Sequence, residues 1–510
     1  MKYRLLILCC LFSVFCDAQQ LKQTIQQQVI PGELPDPSVI KVGNVYYACG
    51  SSNNWGPYYP VYQSKDLKRW EFVNYVFSQK PGWTKDSYWA PELYYENGIF
   101  YCYYTARRID GISCIGVAAT KDIKKGFTDH GVIVEWGNEA IDAFVYNEKG
   151  TKYITWKAYG LTPGRPIQIL GSALTKDGLK LSGEAFEVLT ANEDNWEKGG
   201  IEGQCFVKKG DYIYMLYSGN ACCGGLCDYQ VGVARAKTMK GPWEKNPSNP
   251  VLKGNDIWKC PGHGTVVKTG NKFYYLYHAY HSYGFPYLGR SAMLSQLYWD
   301  DRTQWPYFNL INENIHPAQL RSDIVDEFEG KLADWWRFDV STYLSAMEIS
   351  GARLRLKDQP LVEGKQIISV IAAVPEYADF ETRTAVIPVN NVMSGLVYYA
   401  TNKRYLAFGL KDNKLQVLKS DEGNFDVLSE VQISPIGAVY LKSIAKGANQ
   451  FDFLYSTDNV KWTKMPLPAH LTTDYLSWWS WGMKVGLFVK ADEGSQNKSG
   501  EFEEFSLRYL

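Results

Sequence analysis

The sequence lacks an excess of charge of either sign, and that absence excludes one class of partner. Lysine and arginine together number 54 among 510 residues, aspartate and glutamate also number 54, and the formal net charge is zero. No stretch combines clustered basic residues with interleaved aromatic ones. Because proteins that bind nucleic acid use such clusters to neutralise phosphates, we do not expect a nucleic-acid partner.

Long apolar runs are also lacking beyond the first 20 residues, so no transmembrane segment is expected. The opening, MKYRLLILCCLFSVFCDAQQ, has a basic start and an apolar stretch at 5–15. Because this stretch is too short to span a bilayer, we interpret 1–18 as a secretory signal peptide. Lipid attachment at Cys16 is less favoured, since Phe15 is a poor neighbour for such a site. We therefore expect a secreted or periplasmic protein.

A second pair of cysteines with zinc-like spacing, which a zinc site would need, is lacking too. Eight cysteines follow the predicted signal: Cys49, Cys102, Cys114, Cys205, Cys222, Cys223, Cys227 and Cys260. An even number permits disulfides in an oxidising compartment, but eight allow on the order of a hundred pairings. The densest run is ACCGGLC (221–227), and no second pair accompanies it. A disulfide that braces a loop is therefore favoured over a zinc site.

Aromatic residues, in contrast, are abundant, with 17 tryptophans and 37 tyrosines. Aromatic side chains suit half-buried strands, and this is the favoured interpretation. The alternative is a surface that stacks on sugar rings, and composition alone does not separate the two. The chain of 510 residues is also too long for one ordinary core, so two or three domains are expected.

One pattern recurs five times: a short apolar run, a turn with glycine, and an aromatic-rich strand. The turn glycines are Gly43, Gly98, Gly150, Gly210 and Gly270, separated by 55, 52, 60 and 60 residues. Each hairpin is followed by a strand with small residues, such as CIGVAAT (114–120), and by an edge-like stretch. Four strands at a period of about 50 residues indicate the blades of a β-propeller. We predict an all-β protein with a five-bladed propeller over 29–320.

Polar residues stand at the head of each predicted innermost strand, six to eight residues before the turn glycine. They are Asp36, Glu92, Asp142, Glu202 and His263. We expect these equivalent positions to converge on the propeller axis, where like charges must separate the pKa values of the carboxyl groups. Asp36 lies between two prolines, and the proline that follows predicts a stiff, extended backbone for it.

The blocks that carry these residues resemble a known family. They are PDPSVI, WAPELYY, IDAFVYNEKGTKYITW, IEGQCFVKKGDYIYMLYSG, PGHGTVVKTG and GRSAMLSQLYWD. In order and spacing, over about 29–310, they resemble glycoside hydrolase family 43. That family consists of five-bladed propeller enzymes that act on arabinose- and xylose-containing polysaccharides, with inversion at the anomeric carbon.

The resemblance implies a role for each matching residue. Asp36 corresponds to the general base, Glu202 to the general acid, and Asp142 to the carboxylate that orients the acid and raises its pKa. His263 corresponds to an axial histidine that can lie beside a water or a cation, which allows a structural Ca²⁺ or other cation there. Arg290 corresponds to a substrate-contacting arginine. No cofactor is required for the reaction that the family performs.

Two other features, a residue and a stretch, are each open between two interpretations. Glu92 is either a substrate contact or a hydrogen-bonded group in the channel wall, while Trp89 beside it is expected to line the pocket. The stretch NNWGPYY (53–59) is either a sugar-stacking rim or a packed loop between blades.

A second domain is predicted over 323–510, where many short alternating strands indicate a β-sandwich. It resembles the concanavalin A-like (laminin G-like) domain that follows the propeller in several subgroups of the family. In some subgroups a loop of this domain reaches the pocket. Carbohydrate binding and a purely stabilising role remain as alternatives for it.

We therefore expect an inverting glycosidase that releases terminal pentose from plant polysaccharides or their oligosaccharides. The motifs do not separate a β-xylosidase from an α-L-arabinofuranosidase. An exo-galactanase, an endo-arabinanase and a non-catalytic sugar-binding propeller remain as alternatives, although the three carboxylates argue against the last. A retaining fructan hydrolase is disfavoured, because Leu34-Pro35 precedes Asp36 in place of a Trp-x-Asn-Asp-Pro motif.

Overall fold

The computed structural model describes residues 24–311, 322–341, 347–359, 367–469, 471–477, 479, 481–492 and 498–510. The predicted signal peptide, 1–18, lies outside the described residues. Those described form β-strands and the short 3₁₀ helices Ile123–Lys125 and Asp474–Leu476, with no α-helix among them. None of the described helices is long and apolar enough to cross a membrane. The all-β prediction is confirmed.

Five antiparallel sheets of four strands form the propeller. Blade one contains Ser38–Val42, Val45–Cys49, Tyr58–Ser64 and Glu71–Phe77. Blade two contains Thr84–Glu96, Ile99–Arg108, Ser113–Thr120 and Thr128–Val134. Blade three contains Ala140–Glu148, Thr151–Ala158, Gln168–Ala173 and Phe186–Thr190. Blade four contains Ile201–Lys209, Tyr212–Gly219, Gln230–Ala236 and Glu244–Lys245. Blade five contains Trp258–Thr269, Lys272–His281, Ser291–Trp299 and Gln27–Ile30.

The innermost strands of the five blades contact one another in a closed ring, from blade one through blade five and back to blade one. Each begins a hairpin whose turn contains one of the predicted glycines, so the repeat read from the sequence is confirmed. The sequence pattern did not predict how the ring closes. Gln27–Ile30, from before blade one, pairs with Ser291–Trp299 and completes blade five. Short strands also extend the junction: Thr24–Ile25 pairs with Leu310–Ile311, and Pro306–Tyr307 pairs with Ser291–Trp299.

Aromatic side chains fill the spaces inside and between blades. Among the largest fully buried side chains are Trp156 and eleven tyrosines, most of which lie on propeller strands. Tyrosine fits such positions because its ring packs between sheets while its hydroxyl finds a polar partner. Tyr103, for example, is buried and donates a hydrogen bond to the carbonyl oxygen of Gly178 at 3.0 Å. The abundance of aromatics therefore reflects mainly packing.

Two packed sheets form the predicted β-sandwich. The first contains Met347–Ile349, Leu354–Lys357, Ser499–Tyr509, Phe380–Ile387, Val439–Lys446, Gln450–Ser456 and Thr463–Lys464, with Ile324–Asp326 beside Ser499–Tyr509. The second contains Asn424–Gln432, Lys414–Asp421, Arg404–Lys411, Val392–Thr401, Lys484–Ala491, Ser369–Ala373, Arg337–Asp339 and Trp55–Gly56. Alternating inward residues of both sheets, among them Leu396, Phe453 and Phe505, form one core.

The last strand of that second sheet comes from the propeller. It lies within NNWGPYY (53–59) and decides between the two interpretations of that stretch. Trp55–Gly56 pairs with Arg337–Asp339, and the Trp55 ring packs edge-on against Tyr399 with centroids 5.5 Å apart. Trp55, Tyr58 and Tyr59 are each at most 2% exposed. The interpretation of NNWGPYY as a sugar-stacking rim is therefore wrong, because these aromatic rings are buried by packing inside the protein.

A buried ion pair joins the two domains beside this strand. Glu33 lies just before blade one, Lys484 begins a sandwich strand, and their side chains are only 5% and 3% exposed. Glu33 also accepts a hydrogen bond from the backbone N–H of Gly482 at 2.8 Å, and Lys484 donates one to the carbonyl oxygen of Gly482 at 2.9 Å. Both charges are thus paired and further hydrogen-bonded, as buried charges need to be.

We predict that Glu33→Ala lowers the free energy of unfolding by about 3–5 kcal/mol, because Lys484 is left buried without its carboxylate. Urea denaturation followed by tryptophan fluorescence measures this. The double variant Glu33→Leu/Lys484→Met should recover most of the loss. Arg69→Ala, which breaks the exposed pair with Asp66, is the control and should change stability by less than about 0.5 kcal/mol. An equally small effect of Glu33→Ala would contradict a stabilising role for the interdomain pair.

Candidate active site

One cavity of about 290 Å³ opens at the propeller axis. Its walls include Asp36, Asp142 and Glu202, the three predicted catalytic carboxylates. The other lining residues are Asn53, Trp89, Arg107, Glu139, Ile141, Lys157, Leu161, Cys222, Cys223, His263, Arg290 and Trp479. The volume lies at the lower end of ligand pockets, which range over about 300–1,000 Å³. It suits one or two sugar rings rather than a long polymer.

The backbone at the mouth of the innermost strands explains how these side chains reach the axis. Asp36, Ala90, Asp142, Gly203 and His263 all have positive φ, between 38° and 60°. In blades two to five this residue lies at a shift in the register with the second strand, which is a β-bulge. A bulge re-aims a side chain that would otherwise follow the alternation of the strand.

This geometry corrects two expectations. Asp36 has φ of 53°, and not the extended backbone that the flanking prolines predicted. Its N–H donates a hydrogen bond to Nδ1 of His278 at 3.0 Å, and its Oδ2 accepts one from the Ser51 hydroxyl at 2.6 Å. Tertiary partners therefore override the local preference. A non-glycine residue in this conformation destabilises the fold by about 1–3 kcal/mol, and the surrounding contacts must offset this strain.

The second correction concerns Glu92, which the sequence placed with the other acids. It lies two residues after the positive-φ residue Ala90, outside the cavity lining, and is 5% exposed. Its Oε2 accepts a hydrogen bond from the Ser38 hydroxyl at 2.6 Å. Burial raises the pKa of Glu92 to about 8 in spite of that bond. Glu92 is therefore a buried group of the channel wall and not a substrate contact.

Glu202 is likewise offset, by one residue before Gly203. Gly203 has φ of 60°, and a Cβ there would lie 2.6 Å from Cγ of His263. Only glycine allows this approach, which leaves the neighbouring Glu202 to carry the carboxylate. The N–H of Gly203 also donates a hydrogen bond to Oδ2 of Asp142 at 3.2 Å. The bulge of blade four thus links the two acids through one peptide unit.

Three cationic or potentially cationic side chains surround Asp36. Its Oδ1 lies 3.1 Å from Nη1 of Arg290, 3.3 Å from Nδ1 of His278 and 3.5 Å from Nδ1 of His263. Burial alone would raise the pKa of Asp36, but these neighbours outweigh it and hold the pKa well below its ordinary value. Burial and Arg290 lower the pKa of His278 to about 4. Asp36 is therefore ionised across the neutral range, beside an uncharged histidine.

Asp142 has the opposite balance. It is 5% exposed, and burial, reinforced by the negative charge of Glu202, raises its pKa to about 7. His263 opposes this shift, with Nδ1 lying 3.7 Å from Oδ2 of Asp142. His263 therefore lies between Asp142 and Asp36. At neutral pH a substantial fraction of Asp142 carries a proton.

Glu202 is held by a lysine that the predicted site did not include. Nζ of Lys157 donates a hydrogen bond to Oε2 of Glu202 at 2.7 Å, and the Tyr229 hydroxyl donates one to Oε1 at 2.9 Å. Burial would raise the pKa of Glu202, but Lys157 first, and then His263 and Tyr229, lower it overall. The expectation of a raised pKa for this glutamate counted only carboxylates, and it is wrong for this arrangement.

Lys157 has a second carboxylate partner in Glu139. Its Nζ lies 3.9 Å from Oε2 of Glu139, which is buried and has no hydrogen-bond partner. Burial would lower the pKa of Lys157, but Glu202, Glu139 and Asp142 raise it. Lys157 is therefore a permanent cation. The sequence signal for it was the TWKAYG stretch, in which a lysine occupies the strand that faces Glu202.

The remaining predicted residues also face the cavity. Trp89 lines it and packs edge-on against Trp479 of the sandwich, with centroids 5.6 Å apart. Nε of Arg290 is buried without a hydrogen-bond partner. Trp479, a single residue of the second domain, had no signal in the sequence. Because Trp479 lies on the cavity wall, the sandwich is more than a stabilising domain.

The predicted cation finds little support in the donor set. The described residues contain no group of three or more histidine, cysteine, aspartate or glutamate side chains arranged to hold a metal. Lys157 and Arg290 also bring two positive charges to the cavity. A cation beside His263 would have to be held mainly through water, and it stays a prediction.

Comparison with known proteins identifies the family to which the chain belongs. The model of glycosyl hydrolases family 43 matches residues 25–306, and that of the β-xylosidase C-terminal concanavalin A-like domain matches 326–508. A xylan 1,3-β-xylosidase of Vibrio sp is 25% identical over 94% of this chain and 98% of its own. A β-xylosidase of Bacillus subtilis (strain 168) is 25% identical over 95% and 99%.

A solved structure shows the same fold. The crystal structure of the xylan β-1,4-xylosidase from Bacillus halodurans C-125 superposes with a TM-score of 0.80 at 21% identity, and covers 95% of this chain and 100% of that one. The family match extends over more than half of the chain and includes every blade that lines the cavity. The protein is therefore a member of glycoside hydrolase family 43, an enzyme that hydrolyses glycosidic bonds.

Proposed function

We propose that the protein is an exo-acting, inverting β-xylosidase that releases terminal xylose from plant xylan oligosaccharides. The observation that carries this proposal is the position of Trp479, a residue of the second domain, on the wall of the propeller cavity. A cavity of about 290 Å³, walled on one side by the second domain, accepts the end of a sugar chain, whereas an endo-acting enzyme needs an open groove.

The names of two sequence relatives that match most of the chain support xylose. The two relatives named as β-xylosidases match 94% and 95% of this chain, including the sandwich that supplies Trp479. An exo-α-(1→5)-L-arabinofuranosidase of Cellvibrio japonicus is 27% identical over 54% of this chain.

α-L-Arabinofuranosidase activity is the second candidate. Relatives with that name share the propeller, which carries all three carboxylates. Xylopyranose and arabinofuranose also present similar hydroxyl patterns to one pocket. An endo-arabinanase and an exo-galactanase are less favoured, the first because the second domain walls one side of the cavity. A non-catalytic sugar-binding propeller is disfavoured by the three carboxylates.

Asp36 is proposed as the general base. Its low pKa keeps it ionised, so it can take a proton from a water molecule as that water attacks the anomeric carbon. Arg290 donates a hydrogen bond to its Oδ1, and Ser51 donates one to its Oδ2. The water oxygen forms a bond to the anomeric carbon, the bond to the glycosidic oxygen breaks, and the configuration at that carbon inverts.

Glu202 is proposed as the acid that protonates the departing glycosidic oxygen, with Asp142 as the carboxyl group that orients Glu202 and tunes its pKa. In the free site Lys157 keeps Glu202 ionised, while Asp142 retains a proton up to about pH 7. A sugar oxygen that accepts a hydrogen bond from Lys157 weakens the hold of this lysine on Glu202. The pKa of Glu202 then rises, so that Glu202 takes up a proton and delivers it to the glycosidic oxygen.

Trp89, Arg290 and His263 are proposed as substrate contacts. Trp89 offers an aromatic face, which packs on the C–H face of a sugar. Arg290 has an unused buried Nε that can donate to a sugar hydroxyl. His263 lies between Asp36 and Asp142, where it can orient the water or the sugar.

Export from the cytoplasm is also proposed. The structure contains two disulfides, which persist in oxidising compartments, and several relatives are named extracellular enzymes. Substrates of polymeric origin are met outside the cell. An exported, chain-end-trimming enzyme would act on oligosaccharides that other hydrolases release.

The first prediction is that the enzyme hydrolyses xylobiose and longer β-xylo-oligosaccharides from one end. Proton NMR during the first minutes should show α-xylose before mutarotation mixes the anomers, because inversion of a β-linkage gives the α-anomer. Glu202→Gln should bind the substrate and fail to turn it over. Initial release of β-xylose would exclude inversion, and activity on arabinosides alone would select the second candidate.

The second prediction concerns the pH dependence of kcat/KM. The rate should rise with pH as Asp36 ionises, below the ordinary range of an aspartate, and fall near pH 7 as the acid pair loses its proton. In Asp142→Asn the falling limb should move to lower pH, because the remaining acid, Glu202, has a lowered pKa. A profile whose falling limb is the same in this variant would contradict the assignment.

The third prediction concerns Lys157. Lys157→Met should move the falling limb of the kcat/KM profile to higher pH, since removal of the cation raises the pKa of Glu202. Lys157→Arg, which keeps the charge, should move it less. Lys152→Met is the matched control: Lys152 is a buried lysine of the same strand, paired with Glu96 outside the cavity, and its loss should leave the limb in place. Equal shifts in both Met variants would exclude a specific role for Lys157.

A further inference from the structure

The loop between the second and third strands of blade four contains two disulfides with different surroundings. Cys227 is bonded to Cys260, 33 positions away on the innermost strand of blade five. Cys222 is bonded to its immediate neighbour Cys223. Both members of this adjacent pair are half-buried and line the cavity that holds the three carboxylates. The predicted loop-bracing disulfide is confirmed, but only one of the two bonds can be that brace.

The loop is held by contacts that do not involve the Cys222–Cys223 bond. Cys227–Cys260 ties its end to blade five. The N–H of Gly224 donates a hydrogen bond to the Tyr280 hydroxyl at 3.3 Å, and a Cβ at Gly224 would lie 2.9 Å from the backbone oxygen of Trp479. The loop is therefore wedged between blade five and the sandwich residue that lines the cavity.

A bond between adjacent residues adds little to that restraint. A disulfide stabilises mainly by restricting the unfolded chain, and the effect grows with the length of chain it encloses. The cysteines of Cys227–Cys260 are separated by 33 positions in the sequence, whereas those of Cys222–Cys223 are separated by 1. What the adjacent pair does supply is two sulfur atoms and two methylene groups on the cavity wall. This surface is apolar and polarisable, as the C–H face of a sugar ring requires.

The position of the pair relative to Glu202 indicates which sugar it faces. Glu202 and this loop belong to the same blade, and Tyr229, at the end of the loop, donates a hydrogen bond to Glu202 at 2.9 Å. The acid acts on the oxygen that joins the released sugar to the rest of the chain, so its neighbours meet the leaving group. Trp479 flanks the same loop at Gly224.

We propose that the Cys222–Cys223 disulfide forms the apolar wall of the leaving-group subsite, where it packs against the sugar ring next to the one released. Trp479 lies beside this wall. This inference rests on the proposed hydrolysis of pentose oligosaccharides and adds the residues that select the second ring. The subsite is intact only when the two sulfur atoms are joined, since two separate thiols rotate independently and present a weaker, more polar surface.

The test compares two substrates of the same enzyme. In Cys222→Ala/Cys223→Ala, kcat/KM for xylobiose should fall about tenfold, the loss expected from a small apolar contact. For β-xylosyl fluoride, whose leaving group is a single atom, kcat/KM should change less than about twofold. A matched control, Cys227→Ala/Cys260→Ala, removes the brace, and should lower stability and affect both substrates alike. Cys222→Ser/Cys223→Ser repeats the test if the alanine variant folds poorly.

Wild-type enzyme treated with a mild reductant gives an independent measurement. Thiol titration reports how many of the two disulfides have opened, and opening of the adjacent pair should produce the same selective loss on xylobiose. If the variants lose both substrates equally, or neither, the subsite assignment is overturned. If the wild-type enzyme hydrolyses neither xylobiose nor xylosyl fluoride, the proposed β-xylosidase function itself fails, which distinguishes the two conclusions.

Discussion

A left-handed residue at the mouth of the innermost strands is the constraint on which the site depends. A regular strand would alternate its side chains between two faces of a blade, and none would point down the channel. The positive φ at Asp36, Asp142 and His263 turns these side chains to the axis, while Gly203 does the same for the preceding Glu202. Three of these four turned residues are not glycine, so the propeller must hold a strained backbone in place. The rigid ring of hairpins provides that hold.

Acidic side chains that lie so close together need cationic neighbours. The positions of these cations determine which carboxyl group keeps a proton. Arg290 lies against Asp36 and Lys157 against Glu202, while Asp142 lies beside the shared His263. The pKa values of the carboxyl groups therefore diverge: those of Asp36 and Glu202 are lowered and that of Asp142 is raised to about 7. An ionised carboxylate and a partly protonated carboxyl group coexist within one cavity because each acid has a different partner.

The repeat and its turns could be read from the sequence, since glycine spacing and aromatic strands are local signals. The position of each acidic side chain relative to the propeller axis could not be read from the sequence. A bulge displaces side chains by one residue, so Glu92 and Glu202 seemed equivalent to Asp142 in the pattern but lie two residues after and one before the turned position. The pKa of Glu202 was mistaken for a related reason: Lys157 reaches it from the neighbouring blade, and sequence spacing does not report contacts between blades.

Each domain contributes residues to the other, and we therefore expect both domains to influence substrate selection. The propeller contributes Trp55–Gly56 to a sandwich sheet, and the sandwich contributes Trp479 to the propeller cavity. The buried pair Glu33–Lys484 holds the contact between these exchanges. Because Trp479 also abuts the loop that carries Cys222–Cys223, a shift of the sandwich would move both walls of the leaving-group side together. The three carboxylates belong to the propeller alone, whereas the cavity that they line is walled by residues of both domains.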